Sequence, residues 1–316
     1  MKYLWYLFVK MYVRLGFAFY FKKIDLVGIK NIPRKQAVLF VANHQNALID
    51  PLLIGALTPR ELNFLTRADV FNRPHIKALL STVNMLPIYR IRDGLTSLSK
   101  NEEVFKKCYH ILGSNGTVLI FPEGNHNIQR RIRILSKGFT RIVFGSLEKH
   151  PEKEISVVPV GINYSNAKKY GSSVRIIFGK PISVQEHRKG AEINEAATSL
   201  KNEVSDAMKK LVTHIEDHQK HDEITKFFEE EEFLYPEKVN VKLLNINNLK
   251  KPVPQKKEHF NFLTPLVKAN SILPLLLWKY LSPKIEEEEF IATYKFSLGI
   301  TAFPSFYLLQ TWVVYS

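Results

Sequence analysis

Two side chains in the stretch Asn43-His44-Gln45-Asn46-Ala47-Leu48-Ile49-Asp50 could together move a proton. A carboxylate that holds one nitrogen of an imidazole fixes its tautomer and stabilises the imidazolium, so the other nitrogen can take a proton from a hydroxyl. His44 and Asp50 are the residue types for that chemistry. The competing reading is a loop histidine followed by a helix cap, because Asp50 directly before Pro51 reads as an N-cap with proline at the first helical position.

Further along, Leu86-Pro87-Ile88-Tyr89-Arg90 places an arginine at the end of an apolar run, with Arg92, Asp93 and Gly94 following. A guanidinium there can grip a phosphate through two parallel hydrogen bonds; the plain alternative is a surface arginine. In Phe121-Pro122-Glu123-Gly124-Asn125-His126 the run 117–121 exits into a turn. Gly124 would let backbone amides approach a ligand, and Glu123 could organise arginines or an acceptor's hydroxyls. Arg130, Arg131, Arg133 and Lys137 then form a basic rim, which serves equally as a membrane-facing surface. The apolar stretch 157–164 with Pro159 either floors the site or is an ordinary core strand. Cys108, the only cysteine, reads as a buried structural thiol, since no activating neighbour is evident. His214 and His218, four residues apart, read as a solvated helix face, because no cysteine or paired carboxylate completes a metal site. The sequence contains no GxGxxG, Walker loop, CxxC pair or GxSxG elbow, so nucleotide cofactors, zinc ribbons and serine-hydrolase chemistry have no support.

These residues need a scaffold. Runs rich in Val, Ile and Phe, bounded by Asn, Pro or Gly, predict strands over 24–27, 37–41, 62–66, 85–89, 117–121, 155–162 and 174–178. Helical stretches over 51–57, 74–82, 98–112 and 137–148 lie between them. This alternation predicts an α/β domain over 24–185 with a mainly parallel sheet flanked by helices, whose ligands sit at the carboxyl ends of the strands. A helical extension follows over 186–235, with a polar helix expected over 192–220 continued by 222–232, and a polar linker over 236–260.

The ends have another character. Residues 1–23 are apolar and aromatic but broken by Lys10 and Arg14, which with Lys22 and Lys23 would make a cationic face beside Trp5, Leu7, Phe8, Phe17 and Phe19; with no small-residue cleavage site, this predicts an amphipathic helix lying in a membrane interface rather than a signal peptide. A helix packed on its own domain is the alternative. Residues 261–316 read as a hydrophobic anchoring segment: 269–278 is uncharged but too short to span a bilayer, and 296–316 is an uncharged run long enough to span one, expected as a transmembrane or deeply embedded helix. Lys268, Lys279, Lys284 and Lys295 all precede that run, so the preceding domain is expected on the cytoplasmic side. The formal net charge of +15 asks for an anionic partner. With basic residues interleaved among long apolar segments, anionic membrane lipid fits and nucleic acid does not.

The four motifs, in this order on an α/β pattern, resemble the glycerolipid acyltransferase family, the 1-acylglycerol-3-phosphate and glycerol-3-phosphate acyltransferases, over roughly residues 24–182. The resemblance implies His44 and Asp50 as the catalytic pair. It implies substrate binding by Arg90, Glu123 and Gly124, with Arg130 or Arg131 substituting for an arginine that usually follows Phe-Pro-Glu-Gly. It implies no metal and no bound cofactor, with acyl-CoA or acyl-carrier protein as co-substrate. The reaction would move a fatty acyl chain onto a hydroxyl of a lysophosphatidic-acid-like acceptor in phospholipid biosynthesis. Five residues separate His44 from Asp50 where the family usually has four, and Asn125-His126-Asn127 replaces the usual Thr-Arg-Ser. Glycerol 3-phosphate or an amino-acid lipid therefore stays open as acceptor, and a non-catalytic protein that binds a lipid surface is the alternative of a different class.

Overall fold

The strand-forming runs build one sheet. The computed structural model describes residues 1–90, 99–246 and 264–316. Among these lie strands β1 (Lys23–Val27), β2 (Ala37–Ala42), β3 (Asn63–Arg67), β4 (Met85–Ile88), β5 (Thr117–Ile120), β6 (Ile155–Tyr164), β7 (Ser173–Phe178) and the short β8 (Ile182–Ser183). Their order across the sheet is β1-β7-β6-β2-β5-β3-β4, and β8 pairs with β6. Every pairing is parallel except those of β6 with β7 and with β8. The sheet is thus mainly parallel, as the alternation predicts. β8 is only two residues long, too short to leave a periodic signal.

Strand β2 lies at the centre and is buried on both faces. Val38, Phe40 and Ala42 join one core cluster; Ala37, Leu39 and Val41 join the other. This parity is what a two-residue side-chain period imposes on a sheet covered on both sides. One face is covered by α1 (Lys2–Tyr20), α2 (Ile49–Leu57) and a helix from the C-terminal region; the other by α4 (Asn101–Gly113), α5 (Gly138–Lys149) and α7 (Ile193–Leu211). Helix α3 (Pro74–Thr82) leads into β4, and the short α6 (Val184–Arg188) precedes α7. Cys108 is fully buried on α4, and burial pushes its thiol up to about 12, so it is protonated at neutral pH.

Three expectations need correction. The polar helix over 192–220 ends at Leu211, because side chains from other elements take its last carbonyls. Asn163 Nδ2 donates to Leu211 O at 2.9 Å, and Asn240 Nδ2 donates to Lys209 O and Val212 O. Beyond it come α8 (His221–Thr225) and α9 (Pro236–Leu244); the latter occupies the start of the expected linker, and 247–263 lies outside the described residues.

The second correction concerns the C-terminal run. It forms α10 (Thr264–Asn270), α11 (Ile272–Leu281), α12 (Ile291–Ile300) and α13 (Ala302–Tyr315). Thr301, at φ −122° and ψ −71°, breaks the 296–316 stretch into two helices just before Pro304. Among the described residues no helix is long and apolar enough to cross a membrane. Helix α12 instead packs into the domain: Phe296 is 1% exposed and stacks on Phe17 of α1 with ring centroids 4.5 Å apart.

The third is smaller. Lys10 is no part of a cationic outer face, because its ammonium donates to Thr58 O at 2.6 Å and to Arg60 O. Helix α1 divides cleanly. Tyr6, Val13, Phe17 and Tyr20 are buried on the domain, while Tyr3, Leu4, Trp5, Phe8, Met11 and Phe19 are exposed. The buried face is that of a helix packed on its own domain, and the outer face presents exposed apolar side chains.

The docking of α12 yields a prediction. Phe296→Ala removes a fully buried aromatic shared by α1 and α12 and should lower unfolding stability by about 3 kcal/mol or more. Denaturant unfolding of the full chain in mild detergent measures it; an unchanged midpoint would mean that α12 does not belong to the domain core.

Candidate active site

Parallel strands end on one edge of a sheet, and β2, β5, β3 and β4 are consecutive neighbours. Their carboxyl ends therefore bring His44, Phe121 to Glu123, Arg67 and Arg90 to one rim. The loop after β2 is pinned from the side. Asn43 replaces ladder hydrogen bonds with its amide, donating to Ile162 O at 3.0 Å and accepting from Ile162 N at 2.7 Å.

Asp50 is wholly buried. It is not the N-cap of α2, which begins at Ile49 with Leu48 as cap; it lies inside the first turn. Its carboxylate turns back into the loop instead of capping the helix. Oδ2 accepts from the backbone N–H of Gln45 and of Asn46, both at 2.8 Å, and lies 2.9 Å from His44 Nδ1. Oδ1 accepts from the Tyr164 hydroxyl at 2.5 Å. Burial, then the adjacent Asp50 charge, push the Tyr164 hydroxyl well above its usual value, so it stays a donor. Four donors thus converge on one buried carboxylate, which compensates its lost hydration. The two backbone donors explain how five intervening residues are accommodated: they form the turn that the carboxylate closes.

The His44 ring stacks on Phe121 at 4.0 Å between centroids and stands edge-on to His126 at 5.6 Å. With Nδ1 committed to Asp50, Nε2 is the nitrogen left for proton transfer. The side chain is 13% exposed, so the ring reaches the surface without being bathed in solvent.

Around it the charges are organised in pairs. Glu123, 3% exposed, accepts from Arg133 Nε at 2.6 Å. Burial raises its pKa and the Arg133 charge opposes the rise; its second oxygen, Oε1, is buried with no hydrogen-bond partner. Arg133 also bonds the side chain and backbone carbonyl of Asn125. Arg90 and Arg67 share the Asp69 carboxylate, at 3.6 and 2.6 Å. Gly124 has φ +79°, and nothing lies within 4 Å of where a Cβ would stand, so its backbone borders open space. Arg130 points elsewhere: its guanidinium donates to Tyr164 O and Ser165 O at 2.8 and 2.9 Å and covers the Phe233 ring. Burial lowers its pKa to about 9, which leaves it charged at neutral pH. Arg131 has its Nε buried without a partner and lies toward His214. Arg92 lies outside the described residues.

From the C-terminal region, the segment before α12 closes the mouth. Glu287 lies 3.3 Å from His126 Nε2, and Glu289 lies 4.0 Å from its Nδ1. Glu289 O accepts from Ala47 N, and Thr293 Oγ1 accepts from Leu48 N. Among the described residues, His126, Glu287 and Glu289 are the group whose ligand atoms converge closely enough for a metal. The two carboxylates face opposite ring nitrogens, however, and Arg67 Nη1 is 3.4 Å from His126 Nε2. A guanidinium already stands where a cation would.

Comparison with known proteins bears on this arrangement. Residues 23–163 match the family model described as Acyltransferase. The matched region is less than half of the chain. It is similar to glycerol-3-phosphate O-acyltransferase 1 of Saccharomyces cerevisiae, 31% identical over 81 residues, and to glycerol-3-phosphate O-acyltransferase 2 of the same yeast, 30% identical over 84 residues. These stretches are 26% and 27% of this chain and 11% of each relative, so the match spans about a tenth of their length. Among solved structures, the chain is similar to the 1-acyl-sn-glycerophosphate (LPA) acyltransferase from Thermotoga maritima. That match has a TM-score of 0.49 and 17% identity, and covers 66% of this chain and 80% of that one.

Sequence reasoning missed Arg67 and the hydroxyl of Tyr164. Arg67 carries the same signal as Arg90, a cation ending a β-run, one residue past the expected end of β3. Tyr164 ends the long strand next to β2, but no local spacing relates it to Asp50, 114 positions earlier.

If Asp50 orients the base, its donors should rank. Asp50→Asn should lower kcat about 10²–10⁴-fold by releasing the tautomer. Tyr164→Phe, which removes one of four donors, should cost about tenfold or more, as the loss of one charge-assisted hydrogen bond. Steady-state kinetics tests the order; equal losses would give Tyr164 some role beyond holding Asp50.

Proposed function

We propose that the protein is an O-acyltransferase that moves a fatty acyl chain from acyl-CoA or acyl-carrier protein to a hydroxyl of a lysophosphatidic-acid-like glycerolipid, with His44 as general base. The observation that carries this reading is the His44–Asp50 pair on a buried, four-donor carboxylate inside the region that matches the Acyltransferase family model. His44 Nε2 takes the acceptor's hydroxyl proton as the oxygen attacks the thioester carbonyl. The tetrahedral intermediate then collapses with C–S cleavage, and the imidazolium returns the proton to the departing thiol. The charge balances at each stage, and no residue of the chain is acylated.

Arg90 and Arg67, both at strand ends, are the proposed grip on the acceptor's phosphate, with Glu123 and Gly124 beside it. Arg131 remains a candidate for the same anion. Arg130, engaged with two carbonyls, acts as a brace. The yeast relatives are named glycerol-3-phosphate O-acyltransferases, so glycerol 3-phosphate belongs in the acceptor panel beside lysophosphatidic acid and an amino-acid lyso-lipid. Product mass spectrometry after supplying acyl-CoA tests the reading; transfer to none of the three would overturn it. Arg90→Ala should raise KM for a phosphate-bearing acceptor about 10–150-fold and leave KM for the donor nearly unchanged. Equal rises would place Arg90 on the donor side.

A lipid acceptor calls for a membrane surface. The outer face of α1, with Leu273, Leu276 and Leu277 of α11 and Leu308, Trp312 and Val313 of α13, supplies exposed apolar side chains on the helices that cover one side of the domain. With a net charge of +15, this supports association in the plane of an anionic, cytoplasm-facing leaflet, with no helix required to cross it. Co-sedimentation with anionic vesicles should persist in high salt, because apolar burial is not screened. Release by salt would reduce the contact to electrostatics alone.

A further inference from the structure

The pair His214 and His218 draws attention in the sequence by its spacing, but the structure pairs His214 with His221. Helix α7 stops at Leu211 and the chain runs back along β6. Gly161 permits this approach, since a Cβ there would stand 2.2 Å from Leu211 O. Thr213 N then bonds Asn163 Oδ1, and His214 N bonds Asn240 Oδ1. Both imidazoles thereby reach the loop that follows Phe-Pro-Glu-Gly. The Arg130 N–H donates to His221 Nε2 at 3.0 Å, and the Ile132 N–H donates to His214 Nδ1 at 3.0 Å. In the opposite sense, Ile215 N donates to Arg130 O at 2.8 Å.

Each contact requires a lone pair on the named nitrogen, and therefore a neutral ring in one tautomer. The other nitrogen of each ring fits that tautomer. His221 Nδ1 lies 3.0 Å from Asp222 Oδ1, and His214 Nε2 lies 3.5 Å from Glu216 Oε2. The loop they hold is the one against the base: Asn127 N donates to His44 O at 2.9 Å, and Gln45 Nε2 donates to Ile128 O at 2.9 Å. It also carries Arg133, the partner of Glu123.

We propose that His214 and His221 are positioning residues of the active site, neutral imidazole acceptors that clamp loop 127–133 against the His44 loop, and that the clamp is released when His214 is protonated. The proposal rests on the reading of His44 as the base. The charged groups facing His214 are Glu216 on its own segment, Lys209 at the end of α7 and Arg131 on the loop. Beside His221 stand Asp222, with Lys168 and Lys226 near that carboxylate, and Glu230 facing Arg130. Burial, the largest cause, lowers the His214 pKa from its ordinary 6.5. A histidine whose folded pKa lies below its unfolded one contributes fully above the unfolded value, and its contribution is lost as pH falls from there toward the folded pKa. The clamp is thus complete at neutral pH and weakens in mild acid.

The acceptor positions choose the substitutions. Asparagine carries its oxygen near the place of Nδ1, and glutamine carries its oxygen near the place of Nε2, so His214→Asn with His221→Gln keeps both acceptors and removes the His214 titration. His214→Ala with His221→Ala removes the acceptors. In the full-length protein in detergent, the alanine pair should lose about tenfold or more in kcat with KM for acyl-CoA nearly unchanged, and the Asn/Gln pair should recover most of it at pH 8. Wild-type kcat should fall further in mild acid than that of the Asn/Gln pair, because His214 is protonated only in the wild type. Hydrogen exchange read by mass spectrometry on a peptide spanning 127–134 should show protection falling below about pH 6.5 in wild type and holding in the Asn/Gln pair. Identical acid limbs and identical protection in the two proteins would overturn the proposal, as would an alanine pair with wild-type kcat. If the wild type transfers no acyl group to any acceptor, the assignment of function falls while the exchange experiment still decides whether the clamp exists.

Discussion

A buried carboxylate is the constraint on which the rest of the site depends. An ionised Asp50 without water has to be met by donors, or its burial would cost several kcal/mol. Each of its four donors comes from a different requirement of the fold. The two backbone amides demand that the chain turn sharply after β2. The Tyr164 hydroxyl demands that β6 continue past Val160, where its pairing with β2 ends, as far as Tyr164. The fourth donor is His44. Local turn, long-range strand pairing and catalytic geometry are thus satisfied together or lost together, so the site is a by-product of closing the core rather than a decoration on it.

The same logic extends outward in layers. Asn43 ties the start of the loop to β6, Arg130 braces the end of β6 through its carbonyls, and Phe233 covers that guanidinium. The three arginines nearest the mouth, Arg67, Arg90 and Arg133, each have a carboxylate partner before any substrate arrives. Such pairing holds long side chains in one geometry, which lowers the ordering entropy that an incoming anion would otherwise have to offset. It also keeps the local potential modest, so recognition by this rim depends on geometry more than on bulk positive charge.

How much of this was legible in the sequence follows from the range of each interaction. The seven longer strands and four helices of the 24–182 region came through because their signals are local: β-branched runs, turn residues, a proline at a helix start. The His44–Asp50 pairing was legible as chemistry, although Asp50 was misread as a cap, because an aspartate before proline carries the same local signature whether it faces the helix amides or the loop amides. What was illegible was set by partners far away in the chain. Helix α7 stops where Asn163 and Asn240 take its carbonyls, and no residue near 211 announces that. The 296–316 run has the composition of a spanning segment, but composition does not record the break at Thr301 or the seat against Phe17 and Tyr20 of α1 that Phe296 occupies.

Helix α12 shows why that last misreading matters for the chemistry. The helix that buries Phe296 also delivers Thr293 to Leu48 N, and the segment before it delivers Glu289 O to Ala47 N. Both amides belong to the loop between His44 and Asp50. The backbone of that loop is therefore satisfied from two sides: Asp50 bonds Gln45 and Asn46, while the C-terminal segment bonds Ala47 and Leu48. Removing the latter would leave two amides of the loop without these acceptors and strip the cover from Phe17 and Tyr20. A segment with the look of an anchor appended to a finished domain is, by its contacts, one wall of the His44–Asp50 site. The apolar surface it shares with α1 then lies on the same structural unit as His44, so any surface that engages those helices also sets where the mouth of the site sits.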